Sequence, residues 1–137
     1  MSRITWKEYA LRMADVAKLR SEDPYMQVGA CALSFDNRVL GCAYNGLAAG
    51  KDAPPRFWDD RDERRPYMIH AETNLLSLCK HGEVKLVACT LLPCMSCAQS
   101  LAAYGVKEVV FNEVYSRDVQ AYKIFEFYNI ELTQIKL

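Results

Sequence analysis

Apolar residues recur at helical spacing through Trp6, Tyr9, Ala10, Met13, Val16 and Ala17, and Thr5-Trp6-Lys7-Glu8 has the spacing of a capping box. A helix is predicted to begin there and to stop by Asp23-Pro24. Val28 to Leu33 and Val39 to Ala43 read as two strands joined around the Asp36-Asn37 turn, a hairpin. From Gly46 to Pro66 the periodicity dissolves into glycine, three prolines and a dense mixture of charges, which predicts a long loop. Beyond it the pattern predicts a helix over Ile69 to Lys80, ending near Gly82, and a strand over Lys85 to Leu91. Cys94 to Tyr104 reads as a helix closed by Gly105, Val106 to Phe111 as a strand, Asp118 to Tyr128 as a helix and Ile130 to Ile135 as a last strand. Strands alternating with helices of this length imply parallel pairing in a three-layer α/β/α sandwich, and 137 residues suit one domain.

Composition narrows the partners. Seventeen basic residues balance seventeen acidic ones, so no global field holds a long polyanion, and nucleic acid is not expected as a partner. A local basic pocket for one nucleotide is compatible with that balance. The start, Met-Ser-Arg-Ile-Thr-Trp-Lys-Glu, carries no apolar signal core, and no later run approaches a membrane span, so no membrane partner is expected either. The expected location is cytoplasmic, where six cysteines face a reducing medium and favour metal binding over disulfides. Cys31, Cys42, Cys79 and Cys89 lie in apolar stretches and are expected as buried free thiols.

Chemistry concentrates in His70-Ala71-Glu72 and Pro93-Cys94-Met95-Ser96-Cys97, the pattern H-x-E…P-C-x-x-C. One imidazole and two thiolates make three ligands for Zn²⁺, leaving a fourth position for a water that is activated near neutral pH. A C-x-x-C alone fits a redox pair or a structural knuckle. A structural site, however, closes its shell with four side chains, and His81, in Lys-His-Gly, reads as a helix end. A redox disulfide leaves His70, Glu72 and Pro93 unexplained.

Spacing constrains the local geometry. Cys94 and Cys97 are three apart, so a helix brings both sulfurs to one face, and Pro93 suits the start of that helix. His70 and Glu72 are two apart and would diverge in mid-helix, so His70 must stand at a helix start for the two to converge. Two helix starts are thus expected to face one metal. Glu72 then needs a raised pKa to act as both proton acceptor and proton donor beside the activated water.

With these residues in place the chain resembles the cytidine deaminase superfamily, and within it the deoxycytidylate (dCMP) deaminases. Leu19-Arg20-Ser21-Glu22-Asp23-Pro24, Gln27-Val28-Gly29-Ala30-Cys31, Tyr44-Asn45-Gly46, Pro66 to Glu72 and Thr90 to Cys94 carry the resemblance, which covers nearly the whole chain. It implies a mixed five-stranded sheet, a homo-hexamer, and conversion of dCMP to dUMP. It implies Asn45 at the substrate sugar, Val28 and Ala71 at the base, and Tyr115 and Arg117 at the 5′-phosphate. It further implies an allosteric site for Mg²⁺-bound dCTP as activator and dTTP as inhibitor, around Arg20, Ser21, Tyr44, Asn45 and Gly46. Ala43 stands where relatives carry the first glycine of G-Y-N-G, and Glu22 where they often carry lysine. A tRNA adenosine deaminase shares the zinc motif, but neutral charge weighs against it. A catalytically silent zinc module would lack the glutamate, and Glu72 is present.

Overall fold

The first helix, α1 (Trp6–Ala17), begins where the capping box predicts, with Thr5 in extended backbone and its hydroxyl accepting the Glu8 N–H at 3.1 Å. The computed structural model describes residues 2–114 and 119–137. After α1 a short 3₁₀ turn, Lys18–Arg20, ends the helical path before Asp23, whose carboxylate accepts the N–H groups of Tyr25 and Met26 at 2.8 and 3.2 Å. The hairpin is β1 (Gly29–Ser34) and β2 (Val39–Tyr44), with Asn37 at φ 63° in its turn, a conformation that asparagine tolerates. Then follow α2 (Arg61–Arg64), α3 (Ala71–Leu76), β3 (Val84–Leu91), α4 (Met95–Ala103), β4 (Glu108–Glu113), α5 (Gln120–Phe127) and β5 (Glu131–Gln134).

The five strands form one mixed sheet in the order β2-β1-β3-β4-β5. β3, β4 and β5 pair in parallel, as the alternation predicts, but β1 pairs antiparallel with both β2 and β3. The β1–β2 pairing is the predicted hairpin and the sheet is the mixed one expected, whereas the antiparallel β1–β3 pairing is not what the alternation of strands and helices implies. The β2–α3–β3 crossover does set β2 and β3 in the same direction, but it steps over β1, which lies between them. Consequently the start of β1 and the ends of β2 and β3 meet at one edge of the sheet, where ligands bind in open α/β sheets.

Alternation along the strands divides the core into two faces. Cys31, Leu33, Leu86, Ala88 and Val110 pack against Ala10, Leu11 and Ala14 of α1. Ala30, Ala32, Val87, Cys89 and Val109 pack against residues of α3, α4 and α5. The result is the α/β/α sandwich expected from the sequence. Cys31 and Cys89 are buried as expected, whereas Cys42 and Cys79 are only half-buried, because their positions near the sheet edge and helix end leave one side open. All six thiols are free.

Two further expectations change. The helix over Ile69 to Lys80 shortens to Ala71–Leu76, because the backbone is extended at Met68 and His70 and breaks into turns after Ser77. The second half of the long loop is ordered into short helices, Pro55–Trp58, α2 and Arg65–Tyr67, with Asp60 capping α2 through the N–H groups of Asp62 and Glu63. Its two ends are tied by reciprocal backbone bonds between Gly46 and Ile69, at 3.0 and 2.8 Å, which fix the residue just before His70. Among the described residues no helix is long and apolar enough to cross a membrane.

Close contact between α1 and β1 requires Gly29. A Cβ there would lie 1.9 Å from the Ala14 carbonyl oxygen and 2.7 Å from the Lys18 nitrogen. Gly29→Ala is expected to destabilise the fold by roughly 1–3 kcal/mol through overpacking, read as a lowered urea midpoint. An unchanged midpoint would mean that α1 is not held against the sheet here.

Candidate active site

The two helix starts meet as their spacing demands. His70 is the N-cap of α3 and Cys94 the N-cap of α4, both in extended backbone, while Cys97 lies in the first turn of α4. The Nδ1 atom of His70 is 3.5 Å from Cys94 Sγ and 3.3 Å from Cys97 Sγ, and the three ligand atoms lie within 4.8 Å of one another. Tetrahedral zinc with Zn–S bonds of about 2.3 Å and Zn–N bonds of about 2.0–2.1 Å has sulfur–nitrogen edges of about 3.6 Å. The observed separations match that edge, so the donor set fits a zinc ion bound through Nδ1. No fourth His, Cys, Asp or Glu joins this group among the described residues, which leaves one coordination position for a small molecule.

The electrostatics of the three groups are unequal. Hydrogen bonds from the Cys97 thiol and the His70 imidazole push the Cys94 thiol down to about 3. The same contact with Cys94, together with burial, drives the Cys97 thiol upward, and hydrogen bonding to Cys94 raises His70. One thiolate therefore gathers protons on its two neighbours, the protons a metal displaces when it binds. Glu72, in the first turn of α3, is buried, and burial pushes its carboxyl up to about 7 against the opposing pull of its own backbone N–H and of His70. It can hold or release a proton near neutrality, as a general acid–base group must.

A pocket of about 250 Å³ opens onto this cluster. It gathers Val28, Asn45, His70, Ala71, Glu72 and Cys94 from the sequence reading, and adds Met26, Arg61, Leu91 and Leu92, which spacing alone did not single out. Met26, Leu91 and Leu92 lie beside recognisable segments. Arg61 is embedded in a run of charges that reads as solvated surface.

Asn45 works harder within the protein than a turn residue. Its Oδ1 accepts the Val28 N–H at 2.8 Å and its Nδ2 donates to the Met26 carbonyl at 2.9 Å, tying together two pocket-lining residues. The Ser21 hydroxyl is buried and donates to the Asn45 carbonyl at 2.8 Å. The Tyr44 carbonyl accepts from the Asn74 side chain at 2.9 Å, Gly46 is held to Ile69, and Arg20 is exposed at the end of its 3₁₀ turn. Ala43 does not need glycine's freedom: it sits in β2 opposite Ala30, buried, without positive φ. Glu22 is exposed. Tyr115 and Arg117 lie outside the described residues.

Comparison with known proteins agrees with this site. The profile of the cytidine and deoxycytidylate deaminase zinc-binding region matches residues 4–113. Deoxycytidylate deaminase of Homo sapiens is 34% identical over 115 residues, covering 79% of this chain and 65% of the relative, so the chain spans about two thirds of that protein's length. Deoxycytidylate deaminase of Mycobacterium phage D29 is 35% identical over 127 residues, covering 81% of this chain and 97% of the relative. The dCMP deaminase of cyanophage S-TIM5, solved in complex with dCMP and dUMP, superposes with a TM-score of 0.82 at 22% identity, covering 98% of this chain and all of that one. With the matched region running through His70, Glu72, Cys94 and Cys97, the chain belongs to the cytidine and deoxycytidylate deaminase family.

Proposed function

We propose that this protein is a zinc-dependent deaminase that hydrolyses dCMP to dUMP and ammonia. The observation that carries the reading is a buried Glu72, poised near neutrality, on a pocket whose wall is a three-ligand metal site with one position open. The relatives named deoxycytidylate deaminase support the choice of substrate.

His70, Cys94 and Cys97 would hold the metal. A zinc ion bound there supplies a water oxygen that is nucleophilic at neutral pH. Glu72 would take a proton from the attacking water and hold it out to N3 of the cytosine ring, which makes C4 electrophilic. As the oxygen bonds to C4, Glu72 would carry the water's second proton to the exocyclic nitrogen. The C4–N bond then breaks, releasing ammonia and leaving the carbonyl of dUMP. Val28, Ala71, Leu91 and Leu92 provide apolar walls for the base, and the small Ala71 side chain leaves room beside Glu72. Asn45 holds Met26 and Val28 in place and offers its remaining amide capacity to the sugar. Tyr115 and Arg117 are assigned to the 5′-phosphate on the resemblance described above.

The same reading extends to a cytoplasmic homo-hexamer feeding thymidylate synthesis, with Mg²⁺-bound dCTP activating and dTTP inhibiting. The Ser21–Asn45 hydrogen bond supports it, because a ligand near Arg20, Ser21 and Tyr44-Asn45-Gly46 would act on the turn that holds the substrate pocket.

Glu72→Gln is expected to retain one zinc per chain and the wild-type fold while losing turnover by a factor of order 10²–10⁴ or more. Ammonia release from dCMP, read beside metal content, checks this, and an active variant would move the proton chemistry to another group. For regulation, dCMP saturation curves with Mg²⁺ and either triphosphate are expected to shift the half-saturation point down with dCTP and up with dTTP. Curves that superpose would remove the effector site and leave the catalytic assignment standing.

A further inference from the structure

We infer that Arg61 is a further residue through which this chain receives the 5′-phosphate of its substrate, beside the Tyr115 and Arg117 assigned to it above, on a ledge built by Tyr25 and Arg64. The inference rests on the nucleotide deaminase reading above and adds a specificity-determining residue to it.

Apart from the imidazole that belongs to the metal, Arg61 is the one cationic side chain among the described residues that line the zinc pocket. The rest of that pocket's lining is mostly apolar, from Val28, Ala71, Leu91 and Leu92, with the Glu72 carboxyl among it. A nucleotide therefore needs a counter-charge at the mouth, and Arg61 stands there. It also lines the adjoining pocket, shared with Asn45 and His70, so its side chain borders both cavities beside the residue assigned to the sugar.

Arg61 is uncommitted. Although Asp59, Asp60, Asp62 and Glu63 surround it in sequence, it forms no ion pair among the described residues. Asp60 is occupied in capping α2. Among the described residues the Arg61 guanidinium has a cation–π contact with the Tyr25 ring, 5.8 Å from its centroid, and no hydrogen bond or ion pair. Its fork of N–H donors suits two phosphate oxygens.

The ledge itself is rigid. Tyr25 is fixed by its N–H to Asp23 and by its hydroxyl, which donates to the Asp59 carbonyl at 3.4 Å. Arg64, one turn after Arg61, is 2% exposed and lies with its guanidinium 4.7 Å from the Tyr25 centroid and 5.4 Å from that of Trp58. Its Nη2 donates to Asp23 Oδ1 at 3.0 Å, while Nε and Nη1 have no hydrogen-bond partner. A buried guanidinium with one of its edges unpaired is costly. It is tolerated here between two aromatic faces and one carboxylate, and in return it locks α2 to the Asp23 turn. Arg64 is thus a positioning residue, and Arg61 is the arm it aims.

The test is selectivity between dCMP and deoxycytidine, measured as the ratio of their kcat/KM values in the zinc-loaded protein, for wild type, Arg61→Gln, Arg61→Lys and Arg117→Gln. Loss of a charge-assisted phosphate contact is expected to cut the ratio roughly 10- to 100-fold in Arg61→Gln, through KM for dCMP, with partial recovery in Arg61→Lys. A merely structural role would depress both substrates alike and leave the ratio unmoved. An Arg61→Gln ratio within twofold of wild type overturns the assignment, and more so if Arg117→Gln alone collapses it. A wild-type protein that turns over both substrates equally overturns it together with the nucleotide reading. A wild-type preference for dCMP that survives in Arg61→Gln overturns Arg61 alone.

Discussion

Four acid–base groups crowd one edge of the sheet, and their mutual electrostatics set the terms for everything around them. Two thiols, an imidazole and a buried carboxyl share a space in which the metal-ligand atoms lie within 4.8 Å. Within the cluster these groups compromise: hydrogen bonds lower the Cys94 thiol, contact with Cys94 and burial raise Cys97, and burial raises Glu72. A divalent cation resolves that compromise, because it takes both sulfurs as thiolates and leaves Glu72 as the group free to move protons. The fold must hold these side chains together against their repulsion in the ionised state. It does so by presenting them from the starts of two helices packed on the same face of the sheet.

That placement traces back through ordinary packing. The sheet order brings the start of β1 and the ends of β2 and β3 to a common edge, and α3 and α4 begin there. Reciprocal bonds between Gly46 and Ile69 fix the approach to His70. Thr90, buried near the end of β3, accepts the Gly29 N–H at 3.1 Å and ties β3 to the β1 start that carries Val28. Asn45 continues the chain of contacts to Met26 and Val28. Each link is local and modest, but together they leave the pocket wall few ways to move.

How much of this was legible in the sequence depended on the range of the interaction. The His70–Glu72 spacing demanded a helix start, a constraint confined to three residues, and the structure has one there. Capping by Thr5 and the Asn37 turn were equally local and equally readable. Insertion of β1 between β2 and β3 was not read from the alternation of strands and helices, since alternation reports strand direction and not which strands are neighbours. The order within residues 46–66 was also hidden. It depends on Arg64 meeting Asp23, forty-one positions away, and the charge run around Arg64 has the composition of a solvated loop. Asn45 was legible as a turn or a ligand contact, while its bonds to Met26 and Val28 required the folded neighbours.

Everything proposed for this pocket depends on an open zinc site with one imidazole and two thiolates. Zinc-edge X-ray absorption on the purified protein tests it most directly, because it reports the number and kind of donor atoms around the metal. The predicted result is two sulfur scatterers at about 2.3 Å and two nitrogen or oxygen scatterers at about 2.0–2.1 Å, one from His70 and one from solvent. A shell of three or four sulfurs, or zinc absent from protein prepared with the metal, would contradict the account.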